Sequence, residues 1–207
     1  MSQFFIMMRD FFTFIIDLIF PPSPEALELR ALSPATLFTR LPPAPTPPYP
    51  FITSLFAYKN PLVRELVLSI KNRKDRHAIE LGAYALREVL KGTRGKIVLV
   101  PIPISKKRRS ERGYNQCELL IDAIDGFEKN FNLLMRAKHT EQQKFKNRKG
   151  RLAGTEDLFE VKEALVDKDH SIILIDDVAT TGSTLKEARE VLLRAGYMNV
   201  KAVTLAH

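Results

Sequence analysis

Two adjacent acids and a hydroxyl-rich loop follow a short apolar run in the last fifth of this 207-residue chain. The apolar run, residues 172–175, has the length and composition of a buried parallel strand. Asp176 and Asp177 come next, and an amphipathic helical pattern follows the loop. Carboxylates accept hydrogen bonds from sugar hydroxyls, and a small loop before a helix can hold a phosphate. The pattern predicts a sugar-phosphate site whose loop residues are Ala179, Thr180, Thr181, Gly182, Ser183 and Thr184.

The loop has the properties that phosphate binding requires. The first N–H groups of a helix lack internal partners and lie at the positive end of the helix dipole. Gly182 permits a positive φ, so successive N–H groups can converge on one anion. The simpler alternative is a capped strand-to-helix turn, because Thr184 and Glu187 have capping-box spacing. That alternative leaves the acids and the other hydroxyls without a role, so we favour phosphate binding.

The acid pair and its loop resemble the 5-phosphoribosyl 1-pyrophosphate (PRPP) motif of type I phosphoribosyltransferases. The resemblance implies that Asp176 and Asp177 bind the ribose 2- and 3-hydroxyls and that residues 179–184 bind the 5-phosphate. The acids could also hold Mg2+ through its water shell, so Mg2+ is the expected cofactor. The ATP-binding pattern G-x-x-x-x-G-K-[ST] is absent from the sequence, which argues against a P-loop NTPase.

Two short segments hold the positive charge of a chain whose net charge is +8. Residues 106–112 and 136–151 carry twelve Lys and Arg against two acids, so the remainder of the chain is slightly acidic. Charge concentrated in this way suggests a polyanionic ligand, either diphosphate or nucleic acid. A solvated basic loop is the simpler alternative for the first segment. The loop expected to hold a diphosphate leaving group consists of Pro103, Ile104, Ser105 and Lys106.

The chain also resembles the ComF family, phosphoribosyltransferase-like proteins linked to DNA uptake in competent bacteria. The resemblance rests on V-P-I-P-I-S at 100–105, T-x-x-Q at Thr140 and Gln143, Arg148, and the PRPP motif, in the family's order. The most specific element is R-G-Y-N-Q, which consists of Arg112, Gly113, Tyr114, Asn115 and Gln116.

The resemblance implies catalysis mainly by positioning and electrostatics. In type I enzymes a mobile loop, which residues 138–151 resemble, closes over PRPP, excludes water and brings cations to the diphosphate. The family's N-terminal zinc-binding cysteines are missing, because Cys117 is the only cysteine, so no zinc is expected. The residues expected to act on the reacting group are Asp176, Asp177, Lys106, Arg109 and Arg148.

From residue 51 onward, apolar runs alternate with helical patterns and predict an α/β domain over 51–207. The expected architecture is a mostly parallel sheet flanked by helices, like that of type I phosphoribosyltransferases. Ligands of such sheets bind at the carboxyl ends of the strands, where the PRPP motif lies. The expected strands are 96–100, 131–135, 172–175 and 200–205. One helix is expected to begin at Asn60-Pro61, and three others are expected over 78–90, 115–124 and 185–193.

Residues 1–50 differ in composition and are predicted to form a separate N-terminal region. Residues 4–20 have the pattern of a very apolar helix with one narrow polar stripe. We favour packing on the protein or on a second subunit, as in a homodimer; peripheral contact with a membrane and a membrane span are the alternatives. Residues 21–50 contain ten of the thirteen prolines and predict an extended linker or a loosely folded arm.

Two functions from different classes fit these observations. The first is transfer of a phosphoribosyl group from PRPP, with no acceptor indicated by the sequence. The second is a component of DNA uptake that binds single-stranded DNA and a helicase partner. Tyr114 and Phe145 are the only aromatic residues in or beside the basic segments, which is weak support for base stacking. The single cysteine is typical of a protein of the reducing cytoplasm.

Overall fold

The computed structural model describes residues 21–137, 158–162 and 166–207. Its strands are β1 (Ile52–Phe56), β2 (Ile97–Pro101), β3 (Glu128–Lys129), β4 (Leu134–Arg136), β5 (Phe159–Val161), β6 (Ser171–Val178) and β7 (Val200–Ala206). Five of them form a parallel sheet with the order β1-β7-β6-β2-β3. Strands β4 and β5 form a second, antiparallel sheet. The α/β class and the mostly parallel sheet predicted from the sequence are confirmed.

The helices flank the parallel sheet. They are α1 (Pro24–Ala31), α2 (Pro34–Arg40), α3 (Pro61–Leu68), α4 (Arg76–Leu90), α5 (Lys106–Arg112), α6 (Gln116–Asp122) and α7 (Ser183–Arg194), with one π-helical turn at Ser69–Arg73. The predicted start at Asn60-Pro61 is confirmed, because the Asn60 side chain accepts hydrogen bonds from the N–H groups of Leu62 and Val63. Such a cap satisfies N–H groups that have no partner inside the helix.

Both faces of the sheet are buried, as the continuous apolar run in β6 indicates. Ile173 and Ile175 of β6 face the core that also contains residues of α1 to α4 and α6. Ile172 and Leu174 face a second core, which contains residues of α7, β4 and β5. The sheet is therefore the middle layer of the fold, and the free carboxyl ends of its strands are available for a ligand.

The interpretation of residues 21–50 as an extended linker or loosely folded arm is wrong for residues 24–40. Prolines begin α1 and α2, each preceded by a serine whose side chain caps the helix. Proline fits the first turn because its missing N–H would have no partner there. Leu29 and Leu37 are buried in the same core as α3 and α4. Residues 41–50 contain no helix, as predicted.

The predicted strands at 96–100, 172–175 and 200–205 correspond to β2, β6 and β7. The predicted strand at 131–135 begins later, at Leu134, and pairs with β5 outside the parallel sheet. Its first residues form a turn instead, because the Asn130 side chain accepts hydrogen bonds from the N–H groups of Asn132 and Leu133.

Two predicted features lie outside the described residues: the apolar helix over 4–20 and the loop over 138–151. Among the helices that the structure does describe, none has the length and apolar character needed to cross a membrane.

Candidate functional site

Asp176 and Asp177 lie near the carboxyl end of β6, the middle strand of the parallel sheet. Asp176 Oδ1 accepts hydrogen bonds from the N–H of Asp177 at 2.9 Å and from the thiol of Cys117 at 3.5 Å. Burial and the neighbouring Asp177 carboxylate raise the pKa of Asp176 to about 8. Asp177 is buried, and its Oδ2 lies 3.5 Å from the ammonium of Lys71. The two carboxyl groups therefore lie side by side at a strand end, with one cation, Lys71, beside Asp177.

Gln116 of the R-G-Y-N-Q element contacts the acid pair through a hydrogen bond to Asp177. Its Nε2 donates to Asp177 Oδ2 at 3.3 Å, and its Oε1 accepts a hydrogen bond from the Arg112 guanidinium. Asn115 is buried and donates to the carbonyl of Ile102 at 3.0 Å. These contacts connect the end of β2 to the end of β6. The element positions the acids, and Gln116 is the one of its five residues that also lines the cleft beside them.

Tyr114 and Gly113 complete the same support. The Tyr114 hydroxyl lies 3.2 Å from the carbonyl of Ile70 and 3.1 Å from that of Lys71, so it fixes the π-helical turn that carries Lys71. Gly113 has a φ of +80°, which ends α5 and turns the chain into α6. The resemblance identified this element, and the structure supplies its physical role.

The loop at residues 179–184 connects β6 to α7. Gly182 has a φ of +70° directly before the helix, as predicted. The side-chain oxygens of Thr181 and Ser183 lie 3.0 Å apart at the exposed surface of the loop. The capping-box alternative is wrong, because α7 begins at Ser183 with Gly182 as its N-cap and without a side-chain cap. The first N–H groups of α7 therefore have no side-chain cap at Gly182, and N–H groups at a helix start can bind an anion.

We expect Gly182→Ala to destabilise the protein by about 2–4 kcal/mol, because it adds backbone strain and overpacking. A Cβ there would lie 3.0 Å from side-chain atoms of Ile52, Pro48 and Tyr49. Urea denaturation would measure the change. The matched control is Gly92→Ala, which meets no atom within 4 Å and should change stability by less than about 0.5 kcal/mol. Equal stability of the two variants would contradict the close packing of this loop.

A cleft of about 340 Å³ adjoins the acids and the loop. Asp176, Asp177, Thr180 and Thr184 form one side, and residues 102–104 after β2 form another. Three cations from separate parts of the chain also line it, namely Lys71, Arg108 and Arg136. Arg136 donates to the carbonyl of Pro103 at 3.3 Å, and burial, with Arg108 nearby, lowers its pKa. The cleft therefore brings two carboxylates and three cations around one compact space.

The predicted diphosphate loop lies only partly at this cleft. Pro103 and Ile104 line it, whereas Ser105 caps α5 by accepting a hydrogen bond from the N–H of Arg108. Lys106 begins α5 and is exposed away from the cleft lining. Arg109 is paired with Glu118 at 2.7 Å, a contact that also raises the Arg109 pKa. The sequence identified the segment, but the structure selects Arg108 as its cation that lines the cleft.

Lys71 and Arg136 were not selected as site residues from the sequence. Lys71 lies in a π-helical turn, which has no periodic sequence signal. Arg136 belongs to the basic segment 136–151, of which the structure describes only Arg136 and Ala137. The predicted mobile-loop residues Thr140, Gln143 and Arg148 lie outside the described residues. Ala137 and Leu158, the described residues on either side of this gap, are adjacent, because the N–H of Ala137 donates to the carbonyl of Leu158 at 3.0 Å.

The sheet order, the acid pair and the loop before α7 define a phosphoribosyltransferase-like domain. The family model for the phosphoribosyl transferase domain matches residues 124–207. DNA utilization protein YhgH of Salmonella typhimurium is 30% identical over 164 residues, which cover 75% of this chain and 71% of that protein. The chain belongs to the ComF family.

Other relatives are similar over a smaller share of their length. Competence protein ComFC of Bacillus subtilis is 35% identical over 149 residues, covering 69% of this chain and 58% of that protein. Competence protein ComFC of Streptococcus pneumoniae is 40% identical over 106 residues, covering 51% and 46%. This chain thus spans about half to three fifths of those two relatives. A solved hypoxanthine phosphoribosyltransferase from Staphylococcus aureus matches at 19% identity and a TM-score of 0.34, over 69% of this chain and 63% of that one.

Proposed function

We propose that the cleft binds PRPP. The 5-phosphate would occupy the N–H groups and hydroxyls of residues 179–184, and Asp176 and Asp177 would accept hydrogen bonds from the ribose hydroxyls. The diphosphate would lie beside residues 102–104, near Arg108 and Arg136. The observation that carries the proposal is the cleft in which the acid pair meets Thr180 and Thr184 of the helix-start loop and three cations.

Mg2+ fits the donor set of this site. The two carboxyl groups are adjacent, and burial together with the neighbouring Asp177 charge raises the pKa of Asp176 to about 8. A divalent cation near Asp176 and Asp177 would offset that charge, and oxygen ligands are those that Mg2+ prefers. When bound with PRPP, the ion would supply positive charge to the departing diphosphate.

The proposed reaction is transfer of the phosphoribosyl group to a nitrogen acceptor. The bond between C1 of the ribose and the diphosphate oxygen breaks, and its electron pair leaves with the diphosphate. The acceptor's lone pair forms the new C1–N bond, and the nitrogen then loses its proton to water. Within the cleft, the cations stabilise the departing charge while the acids and the loop hold the sugar in place.

A role in DNA uptake or use is the second part of the proposal. The relatives are named competence proteins and DNA utilization proteins. The exposed helix α5, with five cations among its seven residues, offers a surface for the backbone of single-stranded DNA or for a helicase partner. A cytoplasmic location, as proposed from the single cysteine, would give access to both PRPP and incoming DNA.

Two neighbouring cations of α5 distinguish a compact ligand from a nucleic acid. Arg108 lines the cleft, whereas Lys107 is exposed on another side of the helix beside Glu111. If PRPP binds in the cleft, we expect Arg108→Ala to weaken PRPP binding about tenfold or more, because a charge-assisted hydrogen bond is lost. Lys107→Ala should change it less than about twofold. Calorimetry would measure both affinities.

The binding of single-stranded DNA should change differently in the same two variants. Each lost cation should lower the slope of log affinity against log salt by about 0.7, whichever of the two is removed. We expect salt-dependent, sequence-independent DNA binding beside PRPP binding. An equal loss of PRPP affinity in both variants would refute the cleft assignment, and no DNA affinity at low salt would refute the nucleic-acid role.

A further inference from the structure

A cavity of about 250 Å³, here called the α5 pocket, lies between α5 and the π-helical turn. The turn contributes Lys71 and Asn72 to its lining, and α5 contributes Arg108, Glu111 and Arg112. Lys71 and Arg108 also line the PRPP cleft, so these two side chains lie at the boundary of the two spaces. The acid pair, the segment after β2 and the 5-phosphate loop do not line the α5 pocket, so the proposed PRPP contacts do not use it.

The α5 pocket has the hydrogen-bond donors that an anion requires. Two guanidinium groups and one ammonium group line it, and the Asn72 amide can donate as well. A guanidinium presents several N–H donors in one plane, which match the oxygens of a phosphate group. Among the described residues that line the pocket, Glu111 is the one carboxylate, so cations exceed acids there. This lining favours a phosphate group over a neutral ligand.

Contacts between neighbouring elements hold the two walls of the pocket in place. The Arg112 guanidinium donates to Gln116 Oε1, and the Tyr114 hydroxyl donates to the carbonyl of Lys71 at 3.1 Å. Lys74 follows the π-helical turn with a φ of +53°, which is unusual for a residue other than glycine. Its ammonium lies 5.6 Å from the centre of the Tyr114 ring. Because these walls are ordered before a ligand arrives, less free energy is lost on binding.

Exposed cations continue on both sides of the α5 pocket. Arg73 and Lys74 extend the wall formed by the turn, and Lys106 and Lys107 extend the wall formed by α5. A free phosphate would contact the pocket alone, whereas a chain of phosphates can contact the cations on either side as well. A flexible single strand can place one phosphate in a concave site more easily than a stiff duplex can. The charge distribution therefore favours single-stranded nucleic acid as the occupant.

We propose that the α5 pocket binds a backbone phosphate of single-stranded nucleic acid, and that the strand and PRPP weaken each other's binding. The inference rests on the proposed function, since it assumes that PRPP occupies the adjoining cleft. Lys71 lies 3.5 Å from Asp177 Oδ2 in the cleft and also lines the pocket, as Arg108 does. Two anions on either side of the same two cations compete for them and repel each other. Thermodynamic linkage makes this effect reciprocal.

The first test changes the charge of the α5 pocket at a residue outside the PRPP contacts. Asn72→Glu adds a carboxylate to the pocket, and Asn132→Glu adds one at an exposed position outside it, so the two variants have the same net charge. Fluorescence anisotropy with a labelled oligothymidylate of about 12 nucleotides at low salt would measure the affinity for the strand. We expect Asn72→Glu to bind it about tenfold more weakly than Asn132→Glu, because like charges repel at close range.

Glu111→Gln should have the opposite effect, and it decides the matter if Asn72→Glu fails to fold. Removal of this carboxylate from the pocket should strengthen binding of the oligothymidylate about threefold. The matched control is Glu190→Gln, because Glu190 lies 3.8 Å from Lys186 and Glu111 lies 3.8 Å from Lys107, with four residues between partners in both pairs. This control should bind the strand as the wild type does.

The coupling is measured with the wild-type protein. Saturating PRPP with Mg2+ should weaken binding of the oligothymidylate about fivefold, and saturating oligothymidylate should weaken PRPP binding in calorimetry by the same factor. In the absence of the strand, Asn72→Glu and Asn132→Glu should bind PRPP with affinities within about twofold of each other, since Asn72 does not line the cleft.

Equal strand affinities within either matched pair of variants would overturn the assignment of the α5 pocket. Inorganic phosphate, titrated by calorimetry, tests the other source of the same chemistry: if its binding responds to Asn72→Glu and binding of the strand does not, the nucleic-acid occupant is wrong. Strand and PRPP affinities that are independent of each other would refute the coupling. If the wild type does not bind PRPP, the proposed PRPP cleft fails, and the strand affinities of the variants still decide the role of the pocket.

Discussion

Asp176→Asn is expected to stabilise the free protein at alkaline pH, although it removes a residue of the proposed site. The pKa of Asp176 is raised to about 8 by burial and by Asp177, above an ordinary value of 3.8. A carboxyl of this kind favours folding fully below about pH 4, and this contribution is lost as the pH rises to 8. Asparagine imitates the protonated form and keeps an oxygen that can accept from the N–H of Asp177.

The gain in the free energy of unfolding should be close to zero at pH 4 and reach about 2–4 kcal/mol at pH 9. This range follows because one pKa unit corresponds to about 1.4 kcal/mol and solvent screens part of the charge. Urea denaturation at several pH values would measure it. Asp125→Asn is the control, because Asp125 is exposed and should show no comparable gain. An equal or lower stability of Asp176→Asn at pH 9 would show that the acid pair is not strained in the free protein.

The same strain explains why such a pair suits a ligand site. The ionised form of a carboxyl with a raised pKa is stabilised when a ribose hydroxyl donates to it or Mg2+ binds beside it. The free protein is then less stable and the ligand binds more tightly, as is common where polar groups are positioned for binding. Cys117 adds to this arrangement, because burial raises the pKa of its thiol well above the ordinary range and keeps it a neutral donor to Asp176.

The combined change Asp176→Asn with Asp177→Asn is expected to reduce PRPP affinity about 100-fold or more. Each carboxylate that accepts from a ligand hydroxyl is worth about 1.5–3 kcal/mol, and two are removed. The fold should remain, because both residues lie at a strand end and asparagine can still accept a hydrogen bond from Gln116. Circular dichroism and calorimetry would be run on the same samples.

The matched control makes the same two substitutions elsewhere, Asp122→Asn with Asp125→Asn, at two exposed acids that do not line the cleft. PRPP affinity of this control should stay within about twofold of the wild type, since exposed charges contribute little at a distance. A similar loss in both double variants would mean that net charge, and not the acid pair, governs binding.

Contiguous features of the fold and site were predictable from the sequence. Residues 172–184 specify strand, acids, glycine turn and helix within one segment, and the structure has all four there. Local pattern is enough in such a case because each element is determined by its own residues. The helices α1 and α2 were also accessible, since Ser23-Pro24 and Ser33-Pro34 are cap and first-turn signals.

Features that depend on long-range geometry were not predictable. Seven consecutive residues of α5 include five cations, and only the phase of a helix capped by Ser105 brings Arg108 to the cleft. Lys71 reaches Asp177 across more than a hundred residues, through a turn that Tyr114 fixes. Residues 43–45 and His207 line one cavity of about 780 Å³. No local sequence pattern connects these two parts of the chain.

Calorimetric titration of the wild-type protein with PRPP and Mg2+ tests the central claim most directly. We predict saturable binding of one PRPP per chain, weakened strongly when Mg2+ is removed and about 100-fold or more in the double Asp176/Asp177 variant. Absence of binding by the wild type at millimolar PRPP, or identical titrations of the wild type and the double variant, would contradict the assignment of the cleft.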